Sequence, residues 1–246
     1  MTHTPRRPAN ELPFGGEDIT LHYNLQHPAV PLGYDDTIEE WTVDVDAYIV
    51  DPTCHAPGTC ENCDTAKTIG TLSFARVRNY TRDSAWQAGD AYSAGVEKAV
   101  SACIDPATTA APGLNWSRAF ENHLEGAVGD LLIMERVQLL PQYRGFGLGA
   151  LAAAEAIRRL SPGCCAVLCE PAPLGRALDH DQAARQKAKA RLAALWESVG
   201  FRPYQDGIHL LDTGQRHYEQ CRETWRRHFA TFPARTGRTA AKITVG

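Results

Sequence analysis

No stretch of this chain is apolar for long enough to cross a bilayer, which takes roughly 18 or more residues. The opening residues MTHTPRRPANELPFGG also lack the apolar core of a secretory signal. Excess positive charge is missing too. The formal net charge is −4 and the isoelectric point is near 6.1, so nothing draws the chain generally to nucleic acid or to anionic membranes. No internal repeat is visible. These absences exclude a membrane span, and they predict a soluble, cytoplasmic protein whose partners are neither membranes nor nucleic acid.

With 246 residues, 43% of them hydrophobic, the chain can bury one substantial domain with additions. Its eight cysteines are expected to be reduced thiols in such a compartment. Three of them, Cys164, Cys165 and Cys169, sit in the apolar run CCAVLCE, where cysteine acts as a small hydrophobe. Residues 1–16 are rich in proline and glycine without apolar periodicity and read as a poorly ordered arm. Alternation of apolar and polar residues predicts strands over 41–51 and 68–80, paired antiparallel. Helical spacing predicts one helix over 90–104 and a second, short one over 116–125.

Leu131 to Leu140 is mostly apolar, as expected for a central strand covered on both faces. A helix over 147–160 and the strand CCAVLCE follow, giving a strand–helix–strand unit. Another helix spans 182–199, and a last strand covers His209 to Asp212. The organisation that results is an N-terminal arm over 1–40, a domain over 41–215 with a helical insertion at about 90–125, and a basic, partly helical tail over 216–246.

Residues 137–149, VQLLPQYRGFGLG, carry the strongest chemical signal. An apolar strand ends there in a glycine-rich turn at the head of an alanine-rich helix. Such a turn leaves several N–H groups unpaired beside the positive end of the helix dipole, which is a cradle for an anion. A plain strand-to-helix connection would look similar. A dinucleotide loop would not, because Gly145-x-Gly147-x-Gly149 lacks the G-x-G-x-x-G spacing.

The segment resembles the coenzyme A pyrophosphate site of the GNAT family of acyl-CoA-dependent N-acyltransferases. The family signature is Gln/Arg-x-x-Gly-x-Gly/Ala, met here by Arg144, Gly147 and Gly149. A second segment, LWESVGFRPY over 195–204, resembles the family's helix that ends in Gly-Phe, and it follows at the family's order and approximate spacing. The resemblance covers residues 130–212. It implies an α/β fold with a central mixed, mostly antiparallel sheet flanked by helices. The activity it implies is acyl transfer, most simply from acetyl-CoA to a primary amine of a small molecule or a protein. By resemblance, Arg144, Gly145, Phe146, Gly147, Leu148 and Gly149 would hold the pyrophosphate, and Val137, Gln138 and Leu139 the pantetheine arm.

In many members a glutamate nine residues before the motif's Arg/Gln binds the ammonium or takes its proton, and Glu135 occupies that place. A strand carboxylate paired with Arg136 or with an arginine of the tail is the structural alternative. The Leu139 N–H would polarise the thioester carbonyl, again by resemblance. The family's usual acid, a tyrosine just before the Gly-Phe, is replaced by Trp196, whose indole cannot usefully protonate a thiolate. Lys189 stands where an asparagine is common. Tyr204 is a substitute donor, and solvent is another. The missing tyrosine leaves a non-catalytic coenzyme A sensor as a competing reading.

Cys54, His55, Cys60 and Cys63 place four zinc-ligand side chains close together. Adjacent Cys54 and His55 suit one ion poorly, and no second Cys-x-x-Cys pair exists, so a hairpin loop with incidental thiols is the preferred reading. The cations of 216–246 read as a solvated helix and frayed end in preference to a nucleic-acid surface, which together with a zinc loop would make a regulatory protein. Metal analysis of purified protein tests the loop: zinc well below one equivalent is expected, and a full equivalent would reinstate the metal site.

Overall fold

The computed structural model describes residues 7–49, 66–173 and 181–232. Three strands, β1 (Ile19–Leu25), β2 (Ile38–Tyr48) and β3 (Ala66–Val77), run antiparallel in sequence order. Alternation decides their faces: Val43, Val45 and Ala47 of β2 are buried, while the residues between them are partly exposed. The predicted antiparallel pair is therefore present. It gains a partner in β1, from the segment upstream of residue 40.

That segment differs from the arm expected over 1–16. Among its described residues Leu12 and Phe14 are buried in the main core. Two apolar side chains in a proline- and glycine-rich run show no period, yet each fills a core position, and burial outweighs the local pattern.

Two short helices follow, α1 (Ala85–Tyr92) and α2 (Ala94–Ser101), where the periodicity predicts one. One residue, Ser93, separates them. Ser84 caps α1 by accepting the Gln87 N–H, and Ser93, in extended conformation, caps α2 by accepting the Val96 N–H. A single turn, α3 (Arg118–Glu121), occupies the second predicted helix. Strand β4 (Asp130–Leu139) then pairs antiparallel with β3. Helix α4 (Leu148–Leu160) returns the chain to β5 (Cys164–Cys169), which lies parallel to β4. Helix α5 (Gln182–Glu197), β6 (Arg202–Pro203), β7 (His209–Asp212) and α6 (Arg216–Ala230) complete the described chain.

The seven strands form one mixed, mostly antiparallel sheet flanked by helices, in the order β1-β2-β3-β4-β5-β7-β6, as the resemblance implies. One face packs on α4, on Trp196 of α5, on α6 and on the N-terminal segment. The other packs on α1, α2, Phe120 of α3 and Tyr204. Small side chains at Ala150, Ala152, Ala153, Ala154 and Ala156 are all buried and let α4 lie close to the sheet.

The described part of the basic tail is not a solvated helix. Tyr218, Trp225 and Phe229 of α6 are buried, and charges pair across to α4 in both directions: Arg222 and Arg226 of α6 meet Glu155 at 3.3 and 3.0 Å, and Glu219 of α6 meets Arg158 at 2.9 Å. Residues 233–246 lie outside the described residues. Among those described, no helix is long and apolar enough to cross a membrane.

Candidate functional site

Strands β4 and β5 run side by side from Asp130 and Cys164 to Met134 and Cys169. There β5 ends. Glu170 is followed by Pro171 and Pro173, which have no N–H to extend a ladder. Strand β4 continues to Leu139, paired only with β3. The expected central strand is thus paired on both edges only over its first half, and only there, Asp130 to Met134, are its side chains buried on both faces. Beyond Met134 one backbone edge of β4 faces an opening.

The Leu140 N–H donates to Ile69 O on the β3 side. Alternation along an antiparallel strand then turns the polar backbone groups of Val137 and Leu139 towards the opening, and those of Gln138 into the β3 ladder. Arg144 confirms this direction, since its Nε donates to Leu139 O at 2.7 Å. Of the three strand residues implicated by resemblance, Val137 and Leu139 offer backbone to the opening and Gln138 does not.

The turn after β4 leads that edge to the head of α4. Gly145 and Gly147 have φ of +88° and +92°, and Gly147 is the N-cap residue of α4 without a side-chain cap. No acceptor among the described residues takes the N–H groups of Gly145, Phe146, Gly147, Leu148 or Gly149. Buried Phe146 anchors the turn in the core. This is the donor set that an anion needs. A Cβ on Gly149 would meet Val137 Cγ1 at 3.4 Å and Leu139 Cδ1 at 3.8 Å, whereas one on Gly147 would lie 2.4 Å from the Trp225 ring. Gly147 is therefore required by its conformation and by the packing of α6 beneath it.

The sequence gives no signal for one further cation at this turn. The Arg7 N–H donates to Gly145 O at 3.1 Å, its Nη1 donates to Gln142 O at 3.0 Å, and its guanidinium lies 4.4 Å from the centre of the Phe146 ring. The N-terminal segment thus straps the glycine turn. Arg7 lies far from the turn in sequence, in a run without periodicity, and only the fold brings the two together.

Glu135 stands where β4 and β5 part. The register of β4 on β3 passes from Met134↔Phe74 to Arg136↔Ser73, so Glu135 is the extra residue of a bulge. The bulge resets the alternation: Leu132 and Met134 belong to the core under α4, and after it Val137 and Leu139 do. Glu135 faces the α1–α2 side. Ser93 Oγ donates to its Oε1 at 3.1 Å, and Tyr92 Oη to its Oε2 at 3.4 Å. Burial raises its pKa above the ordinary glutamate value, against the pull of the Ser93 and Tyr92 hydroxyls; Glu40 adds to the rise and Arg136 opposes it. A partly desolvated carboxylate of this kind holds or takes a proton more readily than an exposed one.

The substitute acids fare differently. Tyr204 Oη donates to Ala102 O at 3.0 Å within the core on the α2 side, and burial pushes its pKa up to about 12. Trp196 is buried in the core on the α4 side, and Lys189 Nζ lies 3.9 Å from Glu170 Oε1. Cys54, His55, Cys60 and Cys63 lie outside the described residues. Among those described, no group of three or more His, Cys, Asp or Glu side chains could hold a metal. Burial pushes the Cys164 and Cys165 thiols up to about 12, which suits packing and not thiolate chemistry.

No family model matches the chain, and no curated protein matches it. Among solved structures it is similar to a mutant of KacT, at 8% identity and a TM-score of 0.36 over 78% of each chain. It is also similar to the KacTA–DNA complex, at 9% identity and a TM-score of 0.35 over 85% of this chain and 99% of the other. A third is Arabidopsis thaliana NAA60 in complex with a bisubstrate analogue, at 12% identity and a TM-score of 0.33 over 79% of this chain and all of that one, 100%. At that distance the likeness carries no conclusion about activity or about individual residues.

Two outcomes test this geometry. Gly147→Ala combines a left-handed backbone with overlap on Trp225 and should cost about 2–4 kcal/mol in chemical denaturation; unchanged stability would contradict the packing. For Glu135 the fold raises the pKa, so between the ordinary value and the raised one the native state keeps a proton that the unfolded chain has lost. Wild-type stability should fall as pH rises through that window, and Glu135→Gln should lack that decline. Denaturation of both proteins at about pH 4 and pH 8 reads the difference, and parallel stability profiles would refute the raised pKa.

Proposed function

We propose that this protein is an acyl-CoA-dependent N-acyltransferase, moving an acetyl group from acetyl-CoA to a primary amine by direct attack in a ternary complex. The observation that carries the reading is one continuous line of backbone donors. It runs from the free β4 edge at Val137 and Leu139 to the unpaired N–H groups at the head of α4, with Glu135 where the strands part.

The residues present fit coenzyme A. The amides of 145–149 and the helix dipole suit a pyrophosphate, with the exposed Arg144 as a nearby cation, while the Arg7 guanidinium is already paired with Glu11. The free edge suits a pantetheine arm, which carries amides that pair with a strand. Bound acetyl-CoA supplies the activated acyl group. Glu135 takes the proton that makes an ammonium into a nucleophilic amine, and its raised pKa brings it closer to that task. Leu139 N–H is the donor assigned to the acyl oxygen. Neither Trp196 nor Tyr204 is placed to donate a proton, so solvent protonates the departing thiolate, whose pKa near 8.5 makes it an undemanding leaving group.

The acceptor is assigned to the acidic side of the site. Besides Glu135, β2 contributes Glu40, which faces the Tyr92 hydroxyl, together with Asp44 and Asp46. Carboxylates there suit a cationic small molecule, a lysine or an N-terminal amine. The buried Trp196 favours a second reading, a coenzyme A sensor without turnover.

Calorimetry with acetyl-CoA and an amine-panel assay separate the two. Wild-type protein should bind acetyl-CoA and acylate at least one amine. Glu135→Gln should retain the affinity and lose roughly 100-fold or more of the transfer rate. Binding without transfer to any amine would favour the sensor, and absence of binding would remove both readings.

A further inference from the structure

We infer that the interruption between α1 and α2 is a clamp for Glu135, in which Ser93 and Tyr92 are positioning residues that fix the orientation and charge of its carboxylate. The inference rests on the proposed role of Glu135 as the base.

The hydroxyl of Ser93 has one proton and is already engaged as an acceptor. Its Oγ takes the Val96 N–H at 3.1 Å as the cap of α2. Its single proton is left for Glu135 Oε1, at 3.1 Å, and an ionised carboxylate, which can only accept, settles the direction of the bond. Tyr92, the last residue of α1, donates to the other carboxylate oxygen. Each oxygen thus faces one hydroxyl, the closer being that of Ser93 while Tyr92 divides its single proton between Glu135 and Glu40, and the two come from consecutive residues across the helix break. A continuous helix would leave Ser93 without its extended conformation (φ −162°, ψ 150°), and its side chain would no longer serve at once as cap and as donor.

The clamp also sets charge. The groups facing Glu135 are Ser93 and Tyr92 from the helix break, Glu40 from β2 and Arg136 from its own strand. Burial and Glu40 disfavour the carboxylate, and the hydroxyls and Arg136 favour it. Removing a hydroxyl donor therefore moves the protonation midpoint of Glu135 upwards. The break is better explained as a clamp than as a simple helix end, because an ordinary cap needs no partner for its proton beyond water.

The test is a carbon-13 NMR titration of glutamate carboxyls in the full chain, with Glu135→Gln identifying the resonance. Tyr92→Phe should raise the Glu135 midpoint by roughly one pH unit. Ser93→Asp preserves the cap but replaces a donor by a like charge and should raise it further, whereas Ser93→Thr should leave it unmoved. In transfer assays the acid limb of kcat/KM against pH should move by the same amount, with acetyl-CoA affinity unchanged within about twofold. An unmoved midpoint in both Tyr92→Phe and Ser93→Asp, or an acid limb that stays while the midpoint moves, overturns the clamp. Failure of wild-type protein to bind acetyl-CoA would overturn the acyltransferase reading instead. The midpoints, read without cofactor or acceptor, would still decide whether the hydroxyls hold the carboxylate.

Discussion

Two neighbouring parallel strands of unequal length shape everything around the candidate site. Strand β5 stops at Cys169 because the prolines at 171 and 173 cannot continue a ladder, while β4 runs on to Leu139. The sheet has to split there. An unpaired strand edge is normally a liability, and here it is short, flanked by a turn and partly occupied by the Arg144 side chain. The same split exposes backbone donors along one line without unpairing the other edge of β4, whose ladder with β3 continues to the end of the strand.

The bulge at Glu135 is the second device, and it depends on the first. An extra residue in β4 lets the strand bury Leu132 and Met134 before the split and turn half-buried Val137 and buried Leu139 to the same face after it. Without it, the alternation would turn Arg136 and Gln138 into the core. The residue left over is the glutamate, and it turns to the side where α1 gives way to α2. Two hydroxyls offset part of its desolvation, and the remainder shows as the raised pKa. Beneath the glycine turn, Trp225 of α6 fills the space a side chain at 147 would need, which ties the C-terminal helix to the geometry of the turn.

Much of this was legible in the linear pattern. The antiparallel β2–β3 pair, the strand–helix–strand unit from β4 to β5 and the final strand follow from alternation, apolar runs and glycines. The glycine turn at 144–149 was legible because positive φ leaves a mark in composition. Other features leave no such mark. Leu12 and Phe14 read as part of an arm because two core contacts carry no period. One helix was expected where serine caps make two. Helix α6 read as solvated because its three large buried residues lie among arginines, two of which pair with Glu155 of α4.

The division has a physical reason. Backbone preferences, side-chain alternation and the glycines of a turn act over a few residues, and so the sequence by itself determined the β2–β3 pair, the βαβ unit and the glycine turn, but not β1. Which face Glu135 takes, which hydroxyls meet it, and how Arg7 and Trp225 reach the glycine turn are contacts between distant segments. Only the tertiary structure decided those, because a bulge reverses the alternation from which a face is read, and because burial rewards any apolar side chain that reaches the core, whatever its local pattern.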